Sequence, residues 1–391
     1  MLTGYHFKKR DSAPEGDNRV TNSSPPPRLS TRWRKLPAPG MRIPAFIKRS
    51  VDAALARRGF ERIPSRLVYP WQRAAVDQPS HSGAPLPEGA EAWLRADHPR
   101  LAELARRYNE LDSPLAPAPV CWTPAHVATA DLRQFRGDNP YVHQLRGRNM
   151  NEIGYALSFY CIQKSAQIER LGLLERLDED GLFGVHTFMI NGYRVSRDLL
   201  DSVLELAFLD RHLGISGPPV QTILDIGSGY GRLAYRAVTA FPETVRYLCT
   251  DAIATSTFLC EYYLGFRGVA GYESSPARVL PLPELESAVQ PGAVDIALNI
   301  HSFSECSPGA IDAWLAFLAR KRVGHLMIVP NAVTATGADG ITMLTNEGID
   351  FSRIVRRHGY QLVASEPKYP DPVVQEYGIS PAAHLLFRLE A

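Results

Sequence analysis

The sequence predicts an α/β protein built on a doubly wound, mostly parallel sheet, with a mainly helical region in front of it. Two observations carry that prediction. The first is the stretch 222–235, TILDIGSGYGRLAY, where an apolar run leads into Asp225 and three alternating glycines, Gly227, Gly229 and Gly231, and then into a helix-like segment. A buried parallel strand reads as an apolar run, and glycine lets the chain turn sharply and approach a ligand closely. The second is the alternation of apolar runs and helical segments from Thr222 onward, as a doubly wound sheet requires.

Each element follows in turn. Strand one ends at Asp225, and strand two covers 245–249 and ends at Thr250 and Asp251. Residues 253–265 form a helix, 278–282 a short third strand, and 294–300, VDIALNI, the fourth. Residues 311–320 are helical and 325–330, HLMIVP, make the fifth strand. Residues 351–358 are helical, 360–364 the sixth strand, and 384–389, HLLFRL, the seventh. No helix is evident between the last two, which suits an antiparallel final pair. The domain is expected over 216–391.

Upstream, 41–215 reads as mainly helical. Residues 46–58 are amphipathic and stop at Gly59. A Pro-, Ser- and Gly-rich loop over 76–89 precedes a helical stretch, 90–111, broken near Pro99. A long helical segment is expected over 149–175, and Asn191-Gly192 after 185–190 is a hairpin signal. Ser196 is an N-cap for a helix that Gly214 stops, with Asp198 at its positive end. Residues 1–40, rich in Pro, Ser and Arg, lack apolar periodicity and are expected to be a disordered tail, with Met41 as an alternative start.

The 391 residues are 45% hydrophobic and 21% charged, with a formal net charge of +2. That composition fits a soluble globular chain with a large core and gives no argument for nucleic acid or an anionic membrane. No apolar run reaches membrane-spanning length, and no signal-peptide core is seen. The five cysteines, Cys121, Cys161, Cys249, Cys260 and Cys306, lack metal spacing, so reduced thiols in a cytoplasmic protein are expected and no metal site is assigned.

The glycine spacing selects the cofactor. A dinucleotide fingerprint is G-x-G-x-x-G, whose last glycine packs helix on strand. Here the spacing is G-x-G-x-G, with Arg232 where that last glycine would stand. The pattern D-x-G-x-G-x-G resembles the first motif of class I S-adenosylmethionine (SAM) methyltransferases, which have a Rossmann-like sheet. The resemblance implies that this loop wraps the methionine part of SAM and that Asp225 helps to anchor its ammonium group. Asp251, about 20 residues on, suits a ribose diol. Taken alone it is also the residue type of a helix N-cap. Cofactor contacts are therefore expected from Asp225, Gly227, Ser228, Gly229, Gly231, Asp251, Ala252 and Asn299.

Chemistry in such sheets sits at the carboxyl ends of the strands. After the fourth strand come His301 and Glu305. A neutral imidazole near its ordinary pKa suits proton removal from a hydroxyl, so His301 is the expected general base, oriented or replaced by Glu305. Residues 135–146, FRGDNPYVHQLR, form a turn rich in hydrogen-bonding groups. It suits either a polyhydroxylated substrate or a capped turn. Arg136, Asp138, Asn139 and Tyr141, with Arg197 and Asp198, are the substrate candidates.

Five stretches extend the resemblance to a sugar O-methyltransferase family: 135–146, VSRDLLDS at 195–202, LDIGSGYGRLAYR at 224–236, NIHSFSEC at 299–306, and YPDPVVQEYGISP at 369–381. They span 41–391. The resemblance implies methyl transfer from SAM to a hydroxyl of a glycoside, nucleotide sugar or polysaccharide precursor. A non-sugar hydroxyl or amine acceptor, and an inactive SAM-binding subunit, remain as alternatives. One departure is Arg278-Val279-Leu280, where many class I enzymes carry an acid for the adenine amine.

Overall fold

The computed structural model describes residues 5–8, 51, 53–55, 57, 60–63, 80–81, 84–116, 131–137, 148–272, 274–335 and 341–390. The chain divides into two compact units, Met1–Ala74 and Ala75–Ala391. In the first, β1 (Tyr5–Lys8) pairs antiparallel with β2 (Phe60–Ile63). This corrects the expectation of a structureless 1–40 at those four residues. Tyr-His-Phe-Lys alternates with the period of a strand, a signal that tail composition hides. The rest of 1–40, and most of 46–58, lie outside the described residues.

The second unit does not break at 215/216. It begins with β3 (Ser80–His81), α1 (Ala90–Trp93) and α2 (Pro99–Asn109). Pro99 interrupts the helical stretch by starting α2, where its missing N–H costs no helical bond. His98 caps that helix, accepting from Arg100 N at 3.2 Å. The long helix expected over 149–175 is three pieces: α3 (Glu152–Gln163), α4 (Ala166–Leu171) and α5 (Leu173–Arg176). Ser165 and Gly172 supply the new caps that divide it. The hairpin β4 (His186–Ile190) and β5 (Tyr193–Val195) follows, then α6 (Arg197–Leu213). Ser196 caps α6 by accepting from Leu199 N at 3.0 Å, and Gly214 ends it at φ 64°.

The sheet strands are β6 (Gln221–Ile226), β7 (Val245–Thr250), β8 (Ala277–Val279), β9 (Ile296–Ile300), β10 (His325–Val329), β13 (Tyr360–Pro367) and β14 (Ala383–Leu389). Their order is β13-β14-β10-β9-β6-β7-β8. The pairs β9–β10, β6–β9, β6–β7 and β7–β8 are parallel, whereas β14 runs antiparallel to both its neighbours. The chain reverses direction across the sheet between β6 and β9, which leaves a crevice at their carboxyl ends.

Helices α7 (Arg232–Ala240), α8 (Ala254–Phe266), α9 (Leu282–Ala288), α10 (Pro308–Arg320) and α11 (Ser352–Arg357) connect the strands. Leu224, Ala297, Leu326 and Ile328 of the sheet pack with Leu285, Ile311, Leu315, Leu318 and Val355 in one apolar cluster. Two elements were not expected. A hairpin, β11 (Ala332–Ala335) with β12 (Ile341–Leu344), leaves the sheet after β10. A short helix, α12 (Pro372–Tyr377), stands between β13 and β14. Asp371 caps it by accepting from Val373 N at 2.8 Å, and proline occupies its first position.

Candidate active site

A cavity of about 720 Å³ opens at the carboxyl ends of β6, β7 and β9. One wall is the glycine loop. Gly227, Gly229 and Gly231 all have positive φ, at 77°, 56° and 86°, which a residue with a Cβ adopts at a cost. Their surroundings differ. A Cβ on Gly227 would lie against Ser302, 2.6 Å from its own Cβ, and one on Gly231 would be 3.0 Å from Cys260 Sγ. A Cβ on Gly229 would meet nothing within 4 Å. Gly227 and Gly231 are thus needed by the protein itself, and Gly229 keeps the backbone open toward the cavity; Gly231, expected as a cofactor contact, does not line the cavity but packs near Cys260 and Leu264.

Asp251 holds this loop in place. Its carboxylate accepts from Gly229 N at 3.1 Å and from Ile253 N at 2.8 Å, so it ties the glycine loop to the turn before α8 without capping that helix. Burial pushes its carboxyl up to about 7 against those two bonds. Burial likewise raises Asp225 to about 7, although Tyr247 donates its hydroxyl at 2.9 Å. Asp225, Asp251, Ser228 and Ala252 all line the cavity. The Ser228 hydroxyl is buried beside Cys249.

Asn299 corrects the expectation of a cofactor contact. It is fully buried and does not line the cavity. Its amide donates to Ile226 O at 3.1 Å and Ser302 Oγ at 2.6 Å, and its carbonyl accepts from Phe303 N at 2.8 Å. With its polar atoms used in this way, Asn299 fixes the β6 end to the loop after β9.

His301 and Glu305 face the cavity on that loop. His301 sits at φ 67°, an uncommon conformation for a residue with a side chain, held by a bond from its N–H to Val329 O at 2.8 Å. Its Nδ1 is buried with no partner among the described residues. Burial, then the charges of Arg197, Arg232 and Lys368, hold the imidazole down at about 3. This corrects the expectation of an ordinary imidazole pKa. His301 is neutral across the physiological range, and a weak base.

The substrate candidates separate. Asp138, Asn139 and Tyr141 lie outside the described residues. Arg136 is fully buried and does not line the cavity, against expectation. Its guanidinium donates to Glu179 at 2.7 and 2.9 Å and to Asp180 at 3.1 Å, with Asp198 at 3.5 Å. An always-charged fork so buried needs carboxylates on several sides. Glu179 also receives Arg236 at 3.0 Å and Ser196 Oγ at 2.6 Å. Burial opposes its charge, but Arg136 and Arg236 pull its carboxyl down to about 2.

Arg197 and Asp198 do line the cavity. Asp198 accepts from the Tyr230 hydroxyl, and Arg197 Nε donates to Asp201 at 3.1 Å. Asp201 in turn takes Lys368 Nζ at 2.6 Å. Ser202 and Glu205 hold Arg232, at 2.8 Å each. The stretch 195–202 therefore docks α6 onto the glycine loop, a function its sequence did not announce.

Several lining residues escaped the sequence reading. Arg148 lines the cavity, and its guanidinium donates to Glu376 O at 3.1 Å. Asn331 and Asn346 stand at the base of the β11–β12 hairpin, joined at 3.1 Å. The hairpin had a signal: β-branched runs at 333–334 and 341–342 flank Gly-Ala-Asp-Gly. Ser380, Pro381 and Ala382 complete the rim. Tyr108 of α2 supports the site from behind, donating to Thr257 or Asp251 O and accepting from Leu282 N at 2.9 Å. Among the described residues no cluster of three or more His, Cys, Asp or Glu side chains is placed to hold a metal.

The strand order, with β14 antiparallel between β10 and β13, is that of the Rossmann-like class I methyltransferase fold. No family model matches the chain, and no curated protein does. Among solved structures it is similar to a SAM-dependent methyltransferase from Aquifex aeolicus, at 15% identity over 46% of this chain and 89% of that one, TM-score 0.34. It is similar to magnesium protoporphyrin IX methyltransferase from Synechocystis PCC 6803 with bound SAM, at 12% identity over 50% and 83%, TM-score 0.34. A cyclase, SpnF, is similar at 15% identity over 50% and 83%, TM-score 0.36. At such scores these likenesses add no argument, and the fold assignment rests on the strand order.

Proposed function

We propose that the protein is a SAM-dependent methyltransferase that transfers a methyl group to a sugar hydroxyl. The observation that carries the cofactor assignment is Gly229. Its backbone is held by Asp251 with open space where a side chain would be, at the crevice where such sheets bind ligands. The residues fit SAM: Asp225 for the ammonium group, the glycine loop for the methionine chain, Asp251 and Ala252 for the ribose. When bound, SAM supplies an electrophilic methyl on a sulfonium centre.

The acceptor assignment is supported by the opposite wall. Arg148, Arg197, Asp198, Glu305, Asn331 and Asn346 converge there. Such groups suit a polyhydroxylated ligand, because each sugar hydroxyl both donates and accepts. An apolar acceptor would gain nothing from this polar wall and would strip water from it. His301 takes the hydroxyl proton. A hydroxyl under alkylation becomes strongly acidic, so a weak, neutral imidazole suffices late in the step, and it first accepts the hydroxyl hydrogen bond that orients the oxygen. Glu305 is the second candidate for that role.

The test is mass spectrometry of products from SAM carrying an isotopically labelled methyl, with a panel of nucleotide sugars and glycosides beside phenols and amines. Label in a sugar ether is the expected result. Label only in a phenol or an amine would overturn the sugar assignment, and no turnover of bound SAM with any acceptor would favour an inactive subunit.

A further inference from the structure

A second cavity, of about 270 Å³, lies between α3, α4, α6 and the β13–α12 segment. Lys368 stands in its wall while pairing, on its other side, with Asp201 of the large cleft. The floor is apolar, with Ile168, Leu204, Ala207, Phe208 and Val374. Two polar groups on this wall stand out.

His384 is 4% exposed and packs its ring 5.3 Å from that of Phe208. Its backbone belongs to the β13–β14 ladder, but its ring forms no hydrogen bond with any described residue and faces the cavity. A buried imidazole without a partner is costly unless something else supplies one. Burial, then Lys368, holds it down at about 3, so it is a neutral donor and acceptor. Lys164 is exposed at the mouth, its ammonium 5.5 Å from the Tyr160 ring, with no carboxylate against it among the described residues.

The other charges are already engaged. Glu366 accepts from Arg211 and His212, each at 2.8 Å. Asp371 accepts from Val373 N and Val374 N at the start of α12. Lys368 uses its donors on Asp201, Ile379 O and Ser380 O. One uncommitted cation at the mouth, one unpartnered imidazole inside and apolar walls between them define a ligand.

We propose that this cavity binds a small organic acid: one carboxylate at Lys164 and a compact ring or branched apolar body reaching His384. The site is separate from the methyl-transfer cleft and does not depend on that reading. Its occupant would touch Lys368 and so the Asp201 pair behind the cleft wall.

Cys161 lines the same cavity and is partly exposed, which makes it a local reporter. The experiment measures the rate of Cys161 alkylation by iodoacetamide, by peptide mass spectrometry, in the full chain. Phenylacetate is the probe, with phenylethanol and phenethylamine as uncharged and cationic controls. Phenylacetate should slow Cys161 alkylation saturably and leave Cys306, in the large cleft, unchanged. Lys164→Met, at an exposed position, should weaken that protection roughly tenfold, the usual worth of a charge-assisted hydrogen bond. Ala207→Trp should fill the cavity and abolish it. No protection in the parent overturns the site, as does protection that survives Ala207→Trp. Protection unchanged in Lys164→Met, or equal with phenylethanol, overturns the carboxylate class.

Discussion

The two walls of the large cleft are made in different ways. The wall at the ends of β6 and β7 is local: Asp225, Gly227, Gly229, Asp251 and Ala252 fall within one strand–helix–strand unit. It works through backbone shape, with Gly229 open and Asp251 as its tether. The facing wall draws on five separate stretches: Arg148, Arg197 to Asp201, His301 to Cys306, Asn331 with Asn346, and Ser380 to Ala382. It works through side chains that meet only when the fold is complete. A cofactor common to many enzymes needs a fixed cradle, whereas an acceptor particular to one needs a surface that can vary.

The buried ionic network joins these walls, and breaking it should have the largest effect. Glu179→Ala leaves Arg136 and Arg236 buried without their shared carboxylate, so it should cost about 3–5 kcal/mol. The melting temperature reads this directly. The same carboxylate makes a pH prediction. Its folded pKa is depressed to about 2. Its contribution is therefore present above the unfolded value of about 4.3 and is lost as pH falls from there toward 2. An acid unfolding profile in which Glu179→Gln removes no stability change over that window would contradict the network's role.

His301→Ala should touch the acceptor wall alone. Turnover should fall by roughly 10²–10⁴-fold while SAM affinity stays nearly unchanged. Because the imidazole is held at about 3, kcat/KM should show no acid limb from it between pH 5 and 7. An acid limb near 6.5 that vanishes in the variant would show that the site protonates His301 after all.

Gly227→Ala should damage the cofactor wall through the protein itself. The new Cβ meets Ser302 and the backbone is at φ 77°. Adding Ser302→Gly should relieve the clash but neither the conformational strain nor the loss of the Ser302 bonds to Asn299 and Ile226 O, so, measured against Ser302→Gly alone, thermal stability should recover only in part. Full recovery would mean that the left-handed backbone costs little there.

A smaller effect concerns protons. Asp225 and Asp251 have raised pKa values near 7, so without ligand they favour the folded state at low pH and disfavour it as pH rises from about 4 to 7. A bound ammonium group favours the charged form of Asp225, and hydrogen bonds from ribose hydroxyls favour that of Asp251. SAM affinity should therefore rise from pH 6 to 8, by at most about tenfold per pH unit for each proton released. Calorimetry in buffers of different ionisation enthalpy measures that release, and zero release at pH 7 would contradict it.

These contrasts also explain what could be read from the chain. The positions of the sheet strands and the glycine loop were legible because apolar runs and glycine spacing are written in consecutive residues. The role of Asn299 was not, since an amide at a strand end gives no sign that Ile226 O, Ser302 and Phe303 N will use it up. Arg136 misled for a related reason: in sequence a buried and a ligand-facing arginine look alike, and its partners Glu179, Asp180 and Asp198 lie far along the chain. The His301 pKa depended on Arg197, Arg232 and Lys368, which only the fold brings near.

The central claim is that the open backbone at Gly229 and the carboxylate of Asp251 form a SAM site. Calorimetric titration of the parent, Gly229→Val and Asp251→Ala with SAM, and of the parent with NAD, tests it most directly. The parent should bind SAM and not NAD, Gly229→Val should lose binding with its fold largely kept, and Asp251→Ala should bind more weakly. Unchanged SAM affinity in both variants, or tight NAD binding to the parent, would contradict it.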